Sequence, residues 1–137
     1  MTDSTVTDSE TNNNGQDGVH IDGNNGAFVA SITTNGNGGT GIFVFTSAFN
    51  SVIDSNASGN KIGIYVDSVG TAVANRITDN TANKNSKCVI LLTCPTDAFG
   101  NTASGNAAGN LVTSDNTCLL LDNNAQRGIK QLATLSP

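Results

Sequence analysis

The side chains best equipped for chemistry fall in three short groups: H-I-D at 20–22, F-V-F at 43–45 and Y-V-D at 65–67. Each sets a ring two residues before a carboxylate or a second ring. Aromatic rings offer apolar area to a sugar ring, and carboxylates accept hydrogen bonds from hydroxyls. A pair such as Asp22 and Asp67 is also the equipment of an inverting glycosidase, provided the carboxyl groups stand about 6.5–9.5 Å apart with water between them. A uronate lyase would need a basic residue instead, and none of these positions holds one. His20 is the single histidine of the chain. Whether these residues meet depends on the elements that carry them.

Those elements repeat. A short strand pattern occurs as G-V-H-I-D at 18–22, G-I-F-V-F at 41–45, G-I-Y-V-D at 63–67 and C-V-I-L-L at 88–92, with a weaker N-L-V-T-S at 110–114. The starts are 23, 22, 25 and 22 residues apart. A second series lies between them: V-T-D-S-E-T at 6–11, V-I-D-S-N-A at 52–57, I-T-D-N-T-A at 77–82, a shortened F-G-N-T-A at 99–103 and L-L-D-N-N-A at 120–125. From the apolar residue of this series to the next strand start is 12, 11, 11 and 11 residues. The segment at 26–37 fits less cleanly, with Val29 or Ile32 as its inward residue. Two series holding phase predict an all-β solenoid, a parallel β-helix of about five coils with 22–25 residues each. It occupies residues 1–125, with 126–137 as a C-terminal cap or tail in which Ile129, Leu132 and Leu135 recur every third residue.

Strand alternation then assigns the faces. Val19 and Ile21, Ile42 and Val44, Ile64 and Val66, and Val89 and Leu91 point inward. One outward row reads His20, Phe43, Tyr65, Ile90 and Val112; its neighbour reads Asp22, Phe45, Asp67, Leu92 and Ser114. Asp22 and Asp67 are two coils apart, hence about 10 Å at an inter-strand spacing of about 4.8 Å. Phe45 lies between them, where a hydrolase needs room for water.

The rest of the composition serves corners. Of 137 residues, 20 are Asn and 15 are Gly, against 2 Pro, 4% aromatic and 12% charged. Asn tolerates left-handed backbone and bonds its own turn. Asp54, Asp79, Asn101 and Asp122 form one corner row, expected to stack as a ladder. A calcium ion bridging Asp54 and Asp79 is the alternative, but no metal or cofactor is expected. A net charge of −5 argues against a nucleic-acid partner. No apolar run reaches the ~20 residues of a membrane span. Lys61, Arg76, Lys84, Lys87, Arg127 and Lys130 are scattered and predict no basic patch.

The G-[VI]-x-[VI] strand starts, the V-x-D-[SN]-x-[AT] second strands and N-T-A-S-G-N at 101–106 resemble the right-handed parallel β-helix proteins of the pectin-lyase-like superfamily. The likeness spans residues 4 to about 125, and C-P-T-D-A-F-G-N-T-A-S-G-N with Cys118 resembles the closing coils of secreted bacterial members. It implies a polysaccharide groove on the outward face of the first strand, but no single activity. Cys94 and Cys118, 24 residues apart, fall near neighbouring coils and are expected to form a disulfide, which implies an oxidising compartment. Cys88 is expected as a small buried thiol. The N-terminus lacks the basic and apolar regions of a leader, so a secreted or cell-surface protein would have its leader outside this chain. The chain starts mid-coil without an amphipathic cap, which predicts a piece of a larger protein or an end sealed by a partner.

These observations predict a non-catalytic structural or adhesive module. The face formed by His20, Asp22, Phe43, Phe45, Tyr65, Asp67, Ile90 and Leu92 would serve one of two partners. Its apolar members Phe43, Phe45, Ile90 and Leu92 suit a second copy of the chain in a homo-oligomer. Its rings and carboxylates suit a polysaccharide. The alternative is a fragment of a carbohydrate-active enzyme, either a polysaccharide lyase or a glycoside hydrolase.

Overall fold

A computed structural model of the chain describes residues 4–23, 25–45, 48–67, 75–92, 96–107, 109–113, 118–125 and 129–131. The chain winds through three parallel sheets. The first face is β1 (Thr5–Thr7), β3 (Phe28–Ala30), β6 (Ser51–Ile53), β9 (Asn75–Thr78), β12 (Thr96–Phe99) and β15 (Leu119–Leu121). The second is β4 (Thr33–Asn35), β7 (Asn56–Ser58), β10 (Thr81–Asn83), β13 (Thr102–Ser104) and β16 (Asn124–Ala125). The third is β2 (Val19–Asp22), β5 (Thr40–Phe45), β8 (Ile62–Asp67), β11 (Cys88–Leu92), β14 (Gly109–Thr113) and β17 (Ile129–Gln131). Four coils, from β3 to β14, carry a strand on every face and have a further winding on either side, fewer than the five expected. The windings β1–β2 and β15–β17 flank them. Because β17 pairs with β14 through Leu111 and Ile129, the third face runs past the boundary expected at residue 125.

The core is a set of columns, one residue per coil. Val29, Val52, Ile77 and Ala98 fill the first face; Ile42 and Val44, then Ile64 and Val66, fill the third. Among the described residues, the second face contributes the small side chains Thr34, Ala57, Ala82 and Ala103. Val29 and Ile32, between which the sequence left a choice, are both buried. Few apolar residues per coil suffice because each touches its counterparts above and below.

Asparagine closes the corners. Asn14, Asn37, Asn60, Asn85 and Asn106 form a continuous ladder where the second face passes to the third. In each step the backbone amide of one coil donates to the side-chain oxygen of the next, as from Asn60 to Asn85 at 2.8 Å. The side-chain nitrogen reaches back to the preceding coil, as from Asn85 to the Ala57 carbonyl at 3.1 Å. A second ladder runs through Ser55, Asn80, Asn101 and Asn123, and a third through Asn50 and Asn75. The buried amides of these ladders thus find partners from coil to coil.

The expected Asp ladder is displaced by one residue. Asp54, Asp79 and Asp122 are exposed and hold φ of 49°, 54° and 53°, with Gly100 at 63° in the same row. They supply the left-handed turn, for which Asp, Asn and Gly are suited. The stacked amides belong to the residue after each of them, so Asn101 lies in the buried ladder and not in the Asp row. The segment at 99–103 is not shortened either: Ala98 pairs with Ile77 and Phe99 with Thr78.

The fourth copy of the third-face strand is also displaced by one. Ile90 pairs with Ile64 and Leu92 with Val66, and both are fully buried. Leu91, and not Ile90, stands opposite Tyr65. A one-residue slip exchanges the two sides of a strand, so Ile90 and Leu92 leave the outward face and join the core.

Candidate functional site

The outward side of β2, β5 and β8 carries the groups singled out in the sequence. Register places His20 beside Phe43 and Phe43 beside Tyr65, with Asp22, Phe45 and Asp67 in the adjoining row. His20 meets Phe43 edge to face, with ring centroids 4.8 Å apart. Phe43 and Tyr65 stack with centroids 4.9 Å apart and planes 15° from parallel. Ring faces touch at about 3.5–4.0 Å, so the two rings are slid past one another like shingles, the preferred offset arrangement. Both stay half-buried, and part of each ring remains open to solvent. Phe45 leans against Phe43 at 5.5 Å.

The polar groups are tied in place. Asp17 Oδ2 lies 3.0 Å from His20 Nδ1, and the Tyr65 hydroxyl donates to Asp67 Oδ2 at 3.2 Å. Burial, then the Asp67 charge and the hydrogen bond to it, push the Tyr65 phenol above its ordinary pKa. Asp22 is exposed and Asp67 half-buried. Phe45 separates them in the register, Asp22 to Phe45 to Asp67.

Six of the eight expected face residues therefore sit together, and Ile90 and Leu92 do not. Ser114 and Cys94 lie outside the described residues, and with Cys94 the expected Cys94–Cys118 pairing. Cys118 packs partly buried against the core and is disulfide-bonded; the side chain of its partner lies outside the described residues. Asp54 and Asp79 border an open depression of about 330 Å³ with Ser31, Ser55 and Thr81. Among the described residues, no three His, Cys, Asp or Glu side chains gather as a metal site would require.

The basic residues do not all remain scattered. Lys61, Lys84 and Lys87 line one depression of about 370 Å³ at the corner between the second and third faces. Sequence reading missed this because it searched for neighbours along the chain. The signal was the repeat itself: Lys61 follows Asn60, and Lys84 and Lys87 lie on either side of Asn85, the counterpart of Asn60 one coil on.

A family model for the right-handed β-helix region matches residues 2–125. The chain belongs to that family. The solenoid is accordingly a right-handed β-helix, in line with the resemblance read from its strand starts. No match was found among curated proteins or among solved structures.

Proposed function

We propose that this β-helix is a non-catalytic module that holds a polysaccharide along the outward side of β2, β5 and β8. The shingled pair Phe43 and Tyr65 carries the reading. Partly open rings at the spacing of successive coils suit the apolar faces of sugar units, while Asp22 and Asp67 accept from their hydroxyls. Phe45 stands between the two carboxylates in the register, the position where an inverting hydrolase needs room for water. His20, the one histidine, is engaged with Asp17. Such a module belongs outside the cell or on its surface, where polysaccharide is met.

The self-association reading loses half its surface, because Ile90 and Leu92 belong to the core. Binding of a panel of neutral and acidic oligosaccharides, followed by calorimetry, tests the proposal. Phe43→Ala with Tyr65→Ala is expected to abolish binding while the fold persists. Release of reducing ends or unsaturated products from any of these glycans would overturn the non-catalytic reading. Binding that survives the double substitution would move the site elsewhere.

A further inference from the structure

The depression formed by Lys61, Lys84 and Lys87 lies where β7 and β10 pass into β8 and β11. It gathers three of the six Lys and Arg side chains of a molecule whose net charge is −5. Among the described residues no carboxylate lies within ion-pair distance of any of the three. Like charges brought together repel, and nothing in the fold requires lysine at these exposed positions.

Lys84 goes against the local backbone preference. The corresponding residue in other coils is Asn13, Gly36, Gly59 or Gly105, all at positive φ. Lys84 holds φ of 53° in this row, a conformation that glycine and asparagine adopt readily and lysine does not. Next to it, the Lys87 amide donates to the Lys61 carbonyl at 2.8 Å, which locks two of the lysines on adjacent coils. The amides of Lys61, Lys84, Ser86 and Lys87 are all bonded to carbonyls. A ligand would therefore be met by the three ammonium groups and the Ser86 hydroxyl.

We propose that this corner binds a tetrahedral oxyanion, a phosphate or sulfate group, free or carried as an ester on a glycan. Lysine presents a compact point charge with three rotatable donors, and three lysines converging from different directions suit an anion whose oxygens also point in several directions. Lysine is the only charged residue type that lines the depression, beside Asn37, Asn60, Ser86 and two glycines. This inference does not rest on the aromatic face.

The test is a titration of the isotope-labelled chain with inorganic phosphate, inorganic sulfate, and a sulfated oligosaccharide beside its desulfated counterpart, with acetate as the planar control. Saturable shifts are expected at the amides of Lys61, Lys84, Ser86 and Lys87, weakening as sodium chloride screens the charges. Lys61→Gln with Lys84→Gly is expected to weaken binding at least about tenfold. Glycine suits the backbone at position 84, so an unchanged spectrum elsewhere verifies the fold. Phe43→Ala should leave phosphate binding intact, which separates this site from the polysaccharide face. Tighter binding of the sulfated oligosaccharide than of free sulfate identifies an ester as the ligand, and equal binding identifies the ion itself. Absence of saturation by both ions, an equal response to acetate, or undiminished binding by the double variant would overturn the proposal.

Discussion

Asn60 receives two hydrogen bonds from Asn37 on a single oxygen, one from the backbone amide at 2.9 Å and one from the side chain at 3.0 Å. Its own side-chain nitrogen returns a bond to the Thr34 carbonyl at 2.8 Å. One buried side chain thus ties two coils by three bonds. Removing it leaves buried donors and an acceptor unmet, each costing about 1–3 kcal/mol. Asn60→Ala is expected to lower stability in urea denaturation by about 3 kcal/mol. Asn56→Ala, at an exposed position in the same coil, should change it by less than about 0.5 kcal/mol.

Ile90 offers a test of the register. Fully buried beside Ile64, it should cost about 3 kcal/mol when shortened to alanine, as large-to-small core changes do. A residue on the outward side would cost a small fraction of that. Thermal unfolding of Ile90→Ala distinguishes the two placements.

The fold was legible because its period repeats, but parity in the fourth copy was not. C-V-I-L-L is apolar at all five positions, so alternation carries no phase there. The phase lies in the asparagine ladder. Ile90 follows Asn85 by five residues, as Ile42 follows Asn37 and Val19 follows Asn14. The coil of Asn60 is one residue shorter, which hid the rule. The rings and carboxylates at residues 20–67 were readable because their strands alternate cleanly. The lysine corner was not, since its members meet only once the chain has wound a full coil.

Thr34 is the polar member of an otherwise alanine column, and its hydroxyl finds no partner among the described groups. An unpaired buried hydroxyl costs about 1–3 kcal/mol. Thr34→Val keeps the shape and removes the polar atom. A gain of about 1 kcal/mol is expected, read as a rise in melting temperature.

Tyr65 is the only tyrosine, and the chain has no tryptophan, so phenolate absorbance reports this residue alone. Its pKa is raised by burial first and by Asp67 second. Asp67→Asn should move the titration toward the ordinary value near 10 without reaching it, because burial remains. The folded form holds the proton more tightly than the unfolded one, so the contribution is complete below about 10 and is lost as pH rises through the folded value. Alkaline denaturation monitored together with the absorbance checks both directions.

Cys118, held in a disulfide beside the core, is expected to pair with Cys94. Closing a loop of about this length contributes about 3 kcal/mol. Peptide mapping without reductant, with cleavage on both sides of Cys94 so that it is parted from Cys88 and from Cys118 along the chain, should recover Cys94 and Cys118 in one cross-linked fragment. Cys118→Ser should loosen the final winding first, visible as faster amide exchange in Leu119–Leu121.

The columns of the interior make the exterior a graduated rod. Each winding advances the axis by one tick of about 4.8 Å, whatever side chain it displays. Groups on the surface are therefore placed at whole multiples of that unit, and lengthening the rod by a winding would add a mark without disturbing the others. Spacing along the surface is set by counting turns, and identity at each mark is free to vary.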